Sequence, residues 1–238
     1  MADSFSNLTI LIPTFNEGSN ISQLIRLLIG KYKGSYIIIT DDGSTDETAS
    51  KVLQISKKNK HVIFHDRSSE KIHGLTASIV DKKLSKKIKT SKIIVMDGDL
   101  QHPIDTVGKI YRQLDKNDIV VAVRTNKDNL NPLRKILSEG MFLISYIVFK
   151  IRRKPTTKDM MSGYFGIKTE LFAQLVYKQN NKFVYKGYKV LLDILRLCDC
   201  KKVKVAEVSY SDFAERQYGK SKFRFRHMLY TLESTFRL

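Results

Sequence analysis

The run IIVMDGDLQHP, residues 93–103, changes from apolar to acidic within a few positions. Its β-branched start is typical of a buried strand. Asp97 and Asp99 follow at once, separated only by Gly98. Two carboxylates this close repel each other unless a cation offsets their charge. The run therefore predicts a buried strand that presents a pair of acids at one end of a sheet.

Short apolar runs of the same kind recur along the chain. They occupy residues 8–12, 36–40, 62–64, 92–96, 118–123 and 202–210. Between them lie amphipathic segments with helix-start signals, including capping-box spacings from Asn20 to Gln23 and from Ser44 to Glu47. Apolar strands that alternate with helices predict an α/β fold, with a mainly parallel, Rossmann-like central sheet flanked by helices.

Polar clusters follow the predicted strands, where ligands of such sheets gather. PTFNEGSN (13–20) follows the first run, DDGSTDET (41–48) the second, and Arg124 the fifth. Acids after the second strand of such folds often meet a ribose or a base, which makes Asp41 or Asp42 a candidate. The same turn residues would also cap a helix with no ligand present. Both interpretations stand at this point.

The acid pair itself allows several interpretations. An Mg²⁺ or Mn²⁺ ion would offset both charges, because such ions bind one or two carboxylates plus substrate phosphate oxygens. A calcium EF-hand is excluded, since it needs glycine where His102 stands. A phosphatase with Asp97 as nucleophile usually has Thr or Val in place of Gln101. A plain turn with solvated acids also stays open.

Composition limits the class of protein. The 238 residues are 42% hydrophobic, which indicates a globular chain. A formal net charge of +18 favours anionic partners, namely nucleic acid, an acidic membrane surface or phosphorylated substrates. A nucleic-acid-binding module is a distant alternative, because no recognition-helix, zinc or RNP pattern is present. The longest apolar stretch, 141–149, is short of the ~20 residues that span a bilayer, so we expect no membrane crossing.

Seven motifs together resemble the family-2 inverting glycosyltransferases of GT-A fold. They are IPTFNE, DDGSTDET, MDGDLQHP, VAVR, MSGYFGI, GYKVLLDIL and ERQYGKSK, spread over residues 8–225. The nearest branch is the dolichyl-phosphate (polyprenyl-phosphate) mannose synthases. This resemblance implies a dolichyl-phosphate β-D-mannosyltransferase that uses GDP-mannose, a polyprenyl or dolichyl phosphate, and Mg²⁺ or Mn²⁺. UDP-glucose is the alternative donor, and nucleic acid is not an expected partner.

The resemblance also implies a role for individual residues. The donor site would comprise Pro13, Thr14, Phe15, Glu17, Asp41, Asp42, Asp97 and Asp99. The metal would be held by Asp97, Asp99 and Gln101. The acceptor phosphate would meet Arg124, Arg134, Ser138, Arg216 and Lys222. The catalytic residues would be Asp99, Arg124, Arg134 and Arg216.

No side chain is needed as a base, because a polyprenyl phosphate is already an anionic nucleophile at neutral pH. Catalysis then consists of aligning two anions and stabilising an oxocarbenium-like transition state. Arginine forks suit the phosphate, and the metal suits the diphosphate. His102 is interpreted as a structural residue or as a support for the metal ligands.

Two amphipathic segments, 133–151 and 222–238, carry basic residues around apolar ones. That pattern is typical of helices lying in a membrane interface, although a core helix also suits the first segment. We expect a GT-A domain over residues 1–221, which includes the helix 133–151, and a C-terminal amphipathic interface helix over 222–238. The resemblance implies peripheral attachment to the cytoplasmic face of a membrane and leaves open a small membrane subunit.

Overall fold

A computed structural model describes residues 4–125, 132–211 and 226–237, without the side chains of residues 132–138 and 226–227. Within these residues, seven strands form one sheet. The strands are β1 Leu8–Thr14, β2 Tyr36–Asp41, β3 Val62–Asp66, β4 Lys92–Val95, β5 Ile119–Arg124, β6 Phe165–Lys168 and β7 Val205–Tyr210. Their order across the sheet is β3-β2-β1-β4-β6-β5-β7.

Helices connect the strands and cover the sheet. They are α1 Ile21–Lys31, α2 Thr48–Lys58, α3 Leu75–Ile79, α4 Lys82–Ser85, α5 Asp105–Gln113, α6 Pro132–Ile151, α7 Thr169–Lys178, α8 Val190–Leu197 and α9 Arg226–Phe236. A 3-10 turn occupies Asn180–Lys182. All seven residues of β1 are buried, and apolar clusters lie on both faces of the sheet. The predicted α/β fold with its mainly parallel sheet is confirmed.

Strand β6 is the element that the sequence did not predict. It runs antiparallel between β4 and β5, and every other pair of neighbouring strands is parallel among the described residues. Its four residues include Gly166, where an added Cβ would lie 2.4 Å from Ile110 Cγ2 and 2.9 Å from Leu114 Cδ1. Helix α5 therefore packs directly on the strand backbone. A strand this short, with glycine at its centre, lacks the apolar pattern that marks the others.

Both predicted capping boxes are wrong. Asn20 precedes α1, but its side chain donates to Glu17 Oε2 (3.1 Å) and makes no cap bond. Ser44 Oγ donates to Asp41 Oδ2 at 2.6 Å instead of capping α2, which begins only at Thr48. A capping hydroxyl must accept from a backbone N–H of the helix, and Ser44 Oγ instead accepts from the backbone N–H of Asn16 at 2.8 Å.

Helix α9 packs against α6 and α8. The hydroxyls of Ser145 and Thr235, both buried, lie 2.8 Å apart and join α6 to α9. The division into domains 1–221 and 222–238 stays a prediction. Among the described residues, no helix has both the length and the apolar character that crossing a bilayer requires.

Candidate active site

The loops after β1 and β4 meet at Gly98. An added Cβ at this glycine would lie 3.2 Å from Thr14 Cγ2, 3.5 Å from Glu17 Cγ and 3.5 Å from Ile12 Cγ2. Glycine thus allows the turn between the two acids to lie flat on the end of β1. Thr14 and Glu17, both predicted donor-site residues, are thereby brought beside the acid pair.

The acid pair occupies a sharp turn that ends β4. Asp97 is partly open, with 39% of its side chain exposed, whereas Asp99 is buried. The Asp99 Oδ1 atom accepts from the backbone N–H of Gln101 at 3.1 Å. Leu100, between them, has a φ of 62°, a conformation that costs a non-glycine residue ~1–2 kcal/mol. The turn thus carries backbone strain, and it places the three predicted metal ligands on one short loop.

His102 supports this turn from behind. Its Nδ1 accepts from the backbone N–H of Asp97 at 3.2 Å, which makes Nε2 the protonated nitrogen in the neutral ring. That Nε2 lies 3.8 Å from Asp97 Oδ2. The imidazole is buried and stacks on Tyr164 with ring centroids 4.7 Å apart. The position of His102 is compatible with the predicted supporting role, which stays a prediction.

Asp41 has its hydrogen-bonding capacity filled by the protein. Its Oδ1 accepts from the backbone N–H groups of Gly43 (3.1 Å) and Ser44 (2.8 Å). Its Oδ2 accepts from the hydroxyls of Thr14 (2.8 Å) and Ser44 (2.6 Å). Since a carboxylate offers about four acceptor positions, a ligand would have to displace one of these bonds. The observed role of Asp41 is to shape the loop, and its donor contact stays a prediction.

Asp42 belongs to a buried ion-pair network. Arg67, 4% exposed, donates from Nε to Asp42 Oδ1 at 2.9 Å and from Nη1 to Asp81. The backbone N–H of Gly74 donates to Asp42 Oδ2 at 2.5 Å. Gly74 has a φ of 143°, and a Cβ there would lie 3.0 Å from the carbonyl oxygen of Tyr185. The loop containing Gly74 is therefore fixed against Asp42, whose own contact with a nucleotide also stays a prediction.

Asp81 closes this network at the start of α4. Burial raises the pKa of Asp81, but hydrogen bonds from His65 and the Lys83 backbone, with the charge on Arg67, outweigh it. The pKa of Asp81 consequently lies well below its usual range. The ionised form of Asp81 therefore stabilises the folded state.

The loops after β1 and β2 are joined by further hydrogen bonds. Asn16, with a φ of 55°, donates its N–H to Ser44 Oγ and accepts from the Thr45 N–H, both at 2.8 Å. The Glu17 N–H donates to Thr48 Oγ1 at 2.8 Å. This bonding leaves Phe15 46% exposed on the rim of the site, where a flat apolar ring can face a base. Pro13 lies within β1, in register with Thr40 of β2.

Arg124 ends β5 on the other side of the acid pair. It is half-buried and in register with Tyr210, the last residue of β7. Asp159 and Asp97 also lie near Tyr210, because the charges of both carboxylates raise the pKa of its phenol. Burial is the main reason that the pKa of Tyr210 lies well above its usual range. Arg124 therefore lies at the same sheet edge as Asp97, as predicted.

The other four predicted phosphate contacts lie outside the described side chains. Arg134 and Ser138 fall in the first turns of α6, and their side chains lie outside the described residues. Arg216 and Lys222 also lie outside them. Their roles stay predictions.

Several site residues carry no role in the sequence-based assignment. Gly163 packs closely on Asp97, since a Cβ there would lie 3.3 Å from both carboxylate oxygens of Asp97. Asp159 shapes the same loop by accepting from the Met161 N–H at 3.2 Å, and Lys189 Nζ donates to the Met161 carbonyl at 3.0 Å. The sequence feature that could have indicated Asp159 and Gly163 as site residues is the run DMMSGYFGI, residues 159–167. Its closeness to Asp97 depends on the antiparallel β6.

The turn after β4 carries side chains that suit a hard divalent ion. Asp97, Asp99 and Gln101 offer only oxygen ligands, which Mg²⁺ and Mn²⁺ prefer. Gly163 places no side chain against the two carboxylate oxygens of Asp97, whereas Gly98 packs on the end of β1. Among the residues that the structure describes, no three His, Cys, Asp or Glu side chains cluster as a metal cage. Because their donors are carboxylate and amide oxygens, Asp97, Asp99 and Gln101 fit an ion of this kind that also binds phosphate oxygens of a ligand.

Sequence comparison identifies the family. A profile of glycosyl transferase family 2 matches residues 9–176, from β1 to the end region of α7. The chain belongs to glycosyl transferase family 2. The resemblance drawn from the motifs is confirmed.

Two curated relatives of this family-2 chain carry the same name. The chain is 30% identical to "Dolichol-phosphate mannosyltransferase" of Pyrococcus furiosus over 97% of its own length, but spans only 63% of that relative. It is 28% identical to "Dolichol-phosphate mannosyltransferase" of Mycosarcoma maydis, over 90% of the chain and 72% of the relative.

Solved structures show the fold. The glucosyl-3-phosphoglycerate synthase of Mycobacterium tuberculosis, in complex with Mn²⁺, UDP-glucose and glycerol 3-phosphate, superposes with a TM-score of 0.68. The match covers 96% of this chain and 79% of the synthase at 16% identity. The predicted GT-A fold is confirmed for this family-2 chain.

Proposed function

We propose that the protein transfers mannose from GDP-mannose to dolichyl or another polyprenyl phosphate, with inversion at the sugar. The observation that carries this proposal is the acid turn at Asp97 and Asp99, which faces the same sheet edge as Arg124. A carboxylate pair suits a metal-bound diphosphate, and an arginine suits a phosphate monoester. The shared name of the two curated relatives supports mannose and dolichyl phosphate as the reactants.

The donor would lie over the ends of β1 and β4. Phe15 would contact the base, and Glu17 would lie near the diphosphate because its stem packs beside Gly98. Asp97, Asp99 and Gln101 would hold Mg²⁺ or Mn²⁺. When bound, the metal neutralises charge on the leaving diphosphate. His102 keeps the backbone of Asp97 in place through its Nδ1 atom.

The acceptor would enter from the side of β5 and α6. A phosphate oxygen attacks the anomeric carbon from the face opposite GDP, and the bond between that carbon and the diphosphate breaks. The electron pair leaves with GDP, and no proton needs to move. Arg124 would hold the acceptor phosphate, with Arg134, Ser138, Arg216 and Lys222 as further proposed contacts. These cations offset the repulsion between acceptor and donor.

The lipid acceptor requires contact with a bilayer, and helices α6 and α9 offer a surface for it. Six of the twelve exposed large apolar side chains in the described residues lie on these two helices. They are Leu143, Ile144, Ile147, Ile151, Leu229 and Phe236. The opposite side of α9 buries small polar residues such as Thr231 and Thr235. We propose that the apolar side lies in the membrane interface, on the cytoplasmic face, with a small membrane subunit as a further partner.

The test measures transfer to lipid directly. Purified protein is mixed with Mn²⁺, vesicles that contain dolichyl phosphate, and labelled GDP-mannose or labelled UDP-glucose. We expect the label from GDP-mannose to enter the organic phase, and transfer to stop when the metal is chelated. Transfer only from UDP-glucose would refute the choice of donor. Transfer to water but not to lipid would refute the choice of acceptor.

A further inference from the structure

A cavity lined by basic residues lies away from the active site. It measures about 200 Å³ and is lined by five cationic residues, Arg152, Lys154, Lys182, Arg196 and Arg237. Among the described residues, no acidic side chain lines it. Helix α8 separates it from the active site, because Lys189 before α8 contacts Met161 whereas Arg196 lies near its other end. Eight helical residues span about 12 Å.

Backbone carbonyls hold the cations in place. Arg152 Nη1 donates to the Phe236 carbonyl at 3.3 Å, and Lys154 Nζ donates to the Cys198 carbonyl at 3.2 Å. Arg237 Nη1 donates to the Phe183 carbonyl at 2.9 Å. A guanidinium has five N–H donors, so these bonds orient the cations without using all of their capacity.

The nearby acids do not balance the charge. Asp193 pairs with Arg196 at 3.0 Å, and Glu233 pairs with Arg237 at 3.5 Å. Among the described residues, five cations line the cavity and two of them pair with an acid, which leaves an excess of three positive charges. Such an excess is unfavourable unless an anion or solvent offsets it.

Arg196 brings a largely buried positive charge to the wall of this cavity. Its side chain is 4% exposed, and its Nε is a buried donor without a hydrogen-bond partner in the described structure. An unsatisfied buried donor typically costs ~1–3 kcal/mol, and more when the group is charged. The other nitrogens of the same guanidinium are bonded, for example to the Lys182 carbonyl. The side chain is therefore fixed with one donor unused.

We propose that this cavity binds a phosphate group. Inorganic phosphate or a phosphate monoester, such as the headgroup of phosphatidic acid, offers three or more acceptor oxygens and up to two negative charges, which several arginines and lysines match. The group comes either from the headgroup of an anionic phospholipid or from a small soluble phosphate compound. Exposed Ile151 (77%) and Phe236 (49%) flank Arg152 and Arg237 and would touch the lipid in the first case. The site uses no active-site residue and does not depend on the proposed reaction.

Two matched double variants test the site. One is Arg152→Gln with Lys182→Gln, inside the cavity, and the other is Arg153→Gln with Lys178→Gln, neighbours outside it. Both remove two positive charges and leave the active site intact. Binding is measured by calorimetry with inorganic phosphate and by sedimentation with phosphatidylcholine vesicles, with and without phosphatidic acid.

We expect the cavity variant to bind at least one probe about tenfold more weakly than the control variant does. A difference with inorganic phosphate assigns a soluble ligand, and a difference only with phosphatidic acid vesicles assigns a lipid headgroup. Equal binding by the two variants with both probes would overturn the proposal. Lys182→Glu, at a single exposed position, repeats the comparison if Arg152→Gln impairs folding.

Discussion

Two acidic clusters follow parallel strands on either side of β1, and they differ in what their carboxylates do. After β2, Asp41 accepts four hydrogen bonds from the protein, and Asp42 pairs with buried Arg67. After β4, Asp97 is 39% exposed and supported mainly through its backbone. Similar composition at similar positions thus serves different purposes. The first cluster builds the site, and the second remains available to a metal and its ligand.

The largest expected effect is on turnover, from Asp97→Asn. This change removes one charge from the open cluster, so we expect transfer to fall about a thousandfold, equivalent to ~4 kcal/mol. The free energy of unfolding should change little, because the side chain is partly exposed. Steady-state kinetics and chemical denaturation measure the two effects. A turnover near that of wild type would remove the distinction between the clusters.

For Arg67→Ala, in the first cluster, we expect the main effect on stability, whereas Asp97→Asn should mainly affect turnover. Loss of this arginine leaves Asp42 and Asp81 as buried charges without their partner, which typically costs ~3–5 kcal/mol. Lys71→Ala, at an exposed position of the same loop, is the control and should leave stability nearly unchanged. Urea denaturation of both variants measures this. Equal stability of the two variants would contradict the structural role of the network.

A smaller effect, on metal affinity, is expected from His102→Asn. This variant tests whether His102 holds Asp97 in place for the metal. An asparagine does not reproduce both the bond to the Asp97 N–H and the stacking on Tyr164. Metal affinity should fall about 10- to 100-fold, as is typical when a ligand's support is lost. Electron paramagnetic resonance of Mn²⁺ measures this affinity. The variant His102→Phe, which keeps only the stacking on Tyr164, should bind Mn²⁺ as weakly as His102→Asn does. Unchanged affinity would make His102 a packing residue.

The smallest effect concerns acid stability. Because the folded-state pKa of Asp81 lies below its usual value, its contribution is complete above about pH 4 and is lost as the pH falls toward the folded pKa. Between about pH 5 and pH 2, wild type should therefore lose more stability than Asp81→Asn. Denaturation curves over that range measure the difference. Parallel pH profiles would show that Asp81 does not contribute.

The sequence predicted six of the seven described strands and the acids that follow them, because both depend on local patterns. It did not predict that Arg67 satisfies Asp42, since the two residues meet only when β2 and β3 pair. Nor did it predict Tyr210 and Asp159 near Asp97, because that closeness depends on the order of β6, β5 and β7. Local sequence patterns therefore located the site. Contacts between distant residues decided which of its carboxylates are already bonded to other protein groups.

Manganese binding in the presence of GDP tests the division between the clusters most directly. Electron paramagnetic resonance would be recorded for wild type, Asp97→Asn and Asp105→Asn, the last a control at an acid whose side chain is 76% exposed. We predict that Asp97→Asn binds Mn²⁺ at least about tenfold more weakly, while Asp105→Asn binds it as wild type does. Wild-type affinity in Asp97→Asn would contradict the assignment of the metal to the turn after β4.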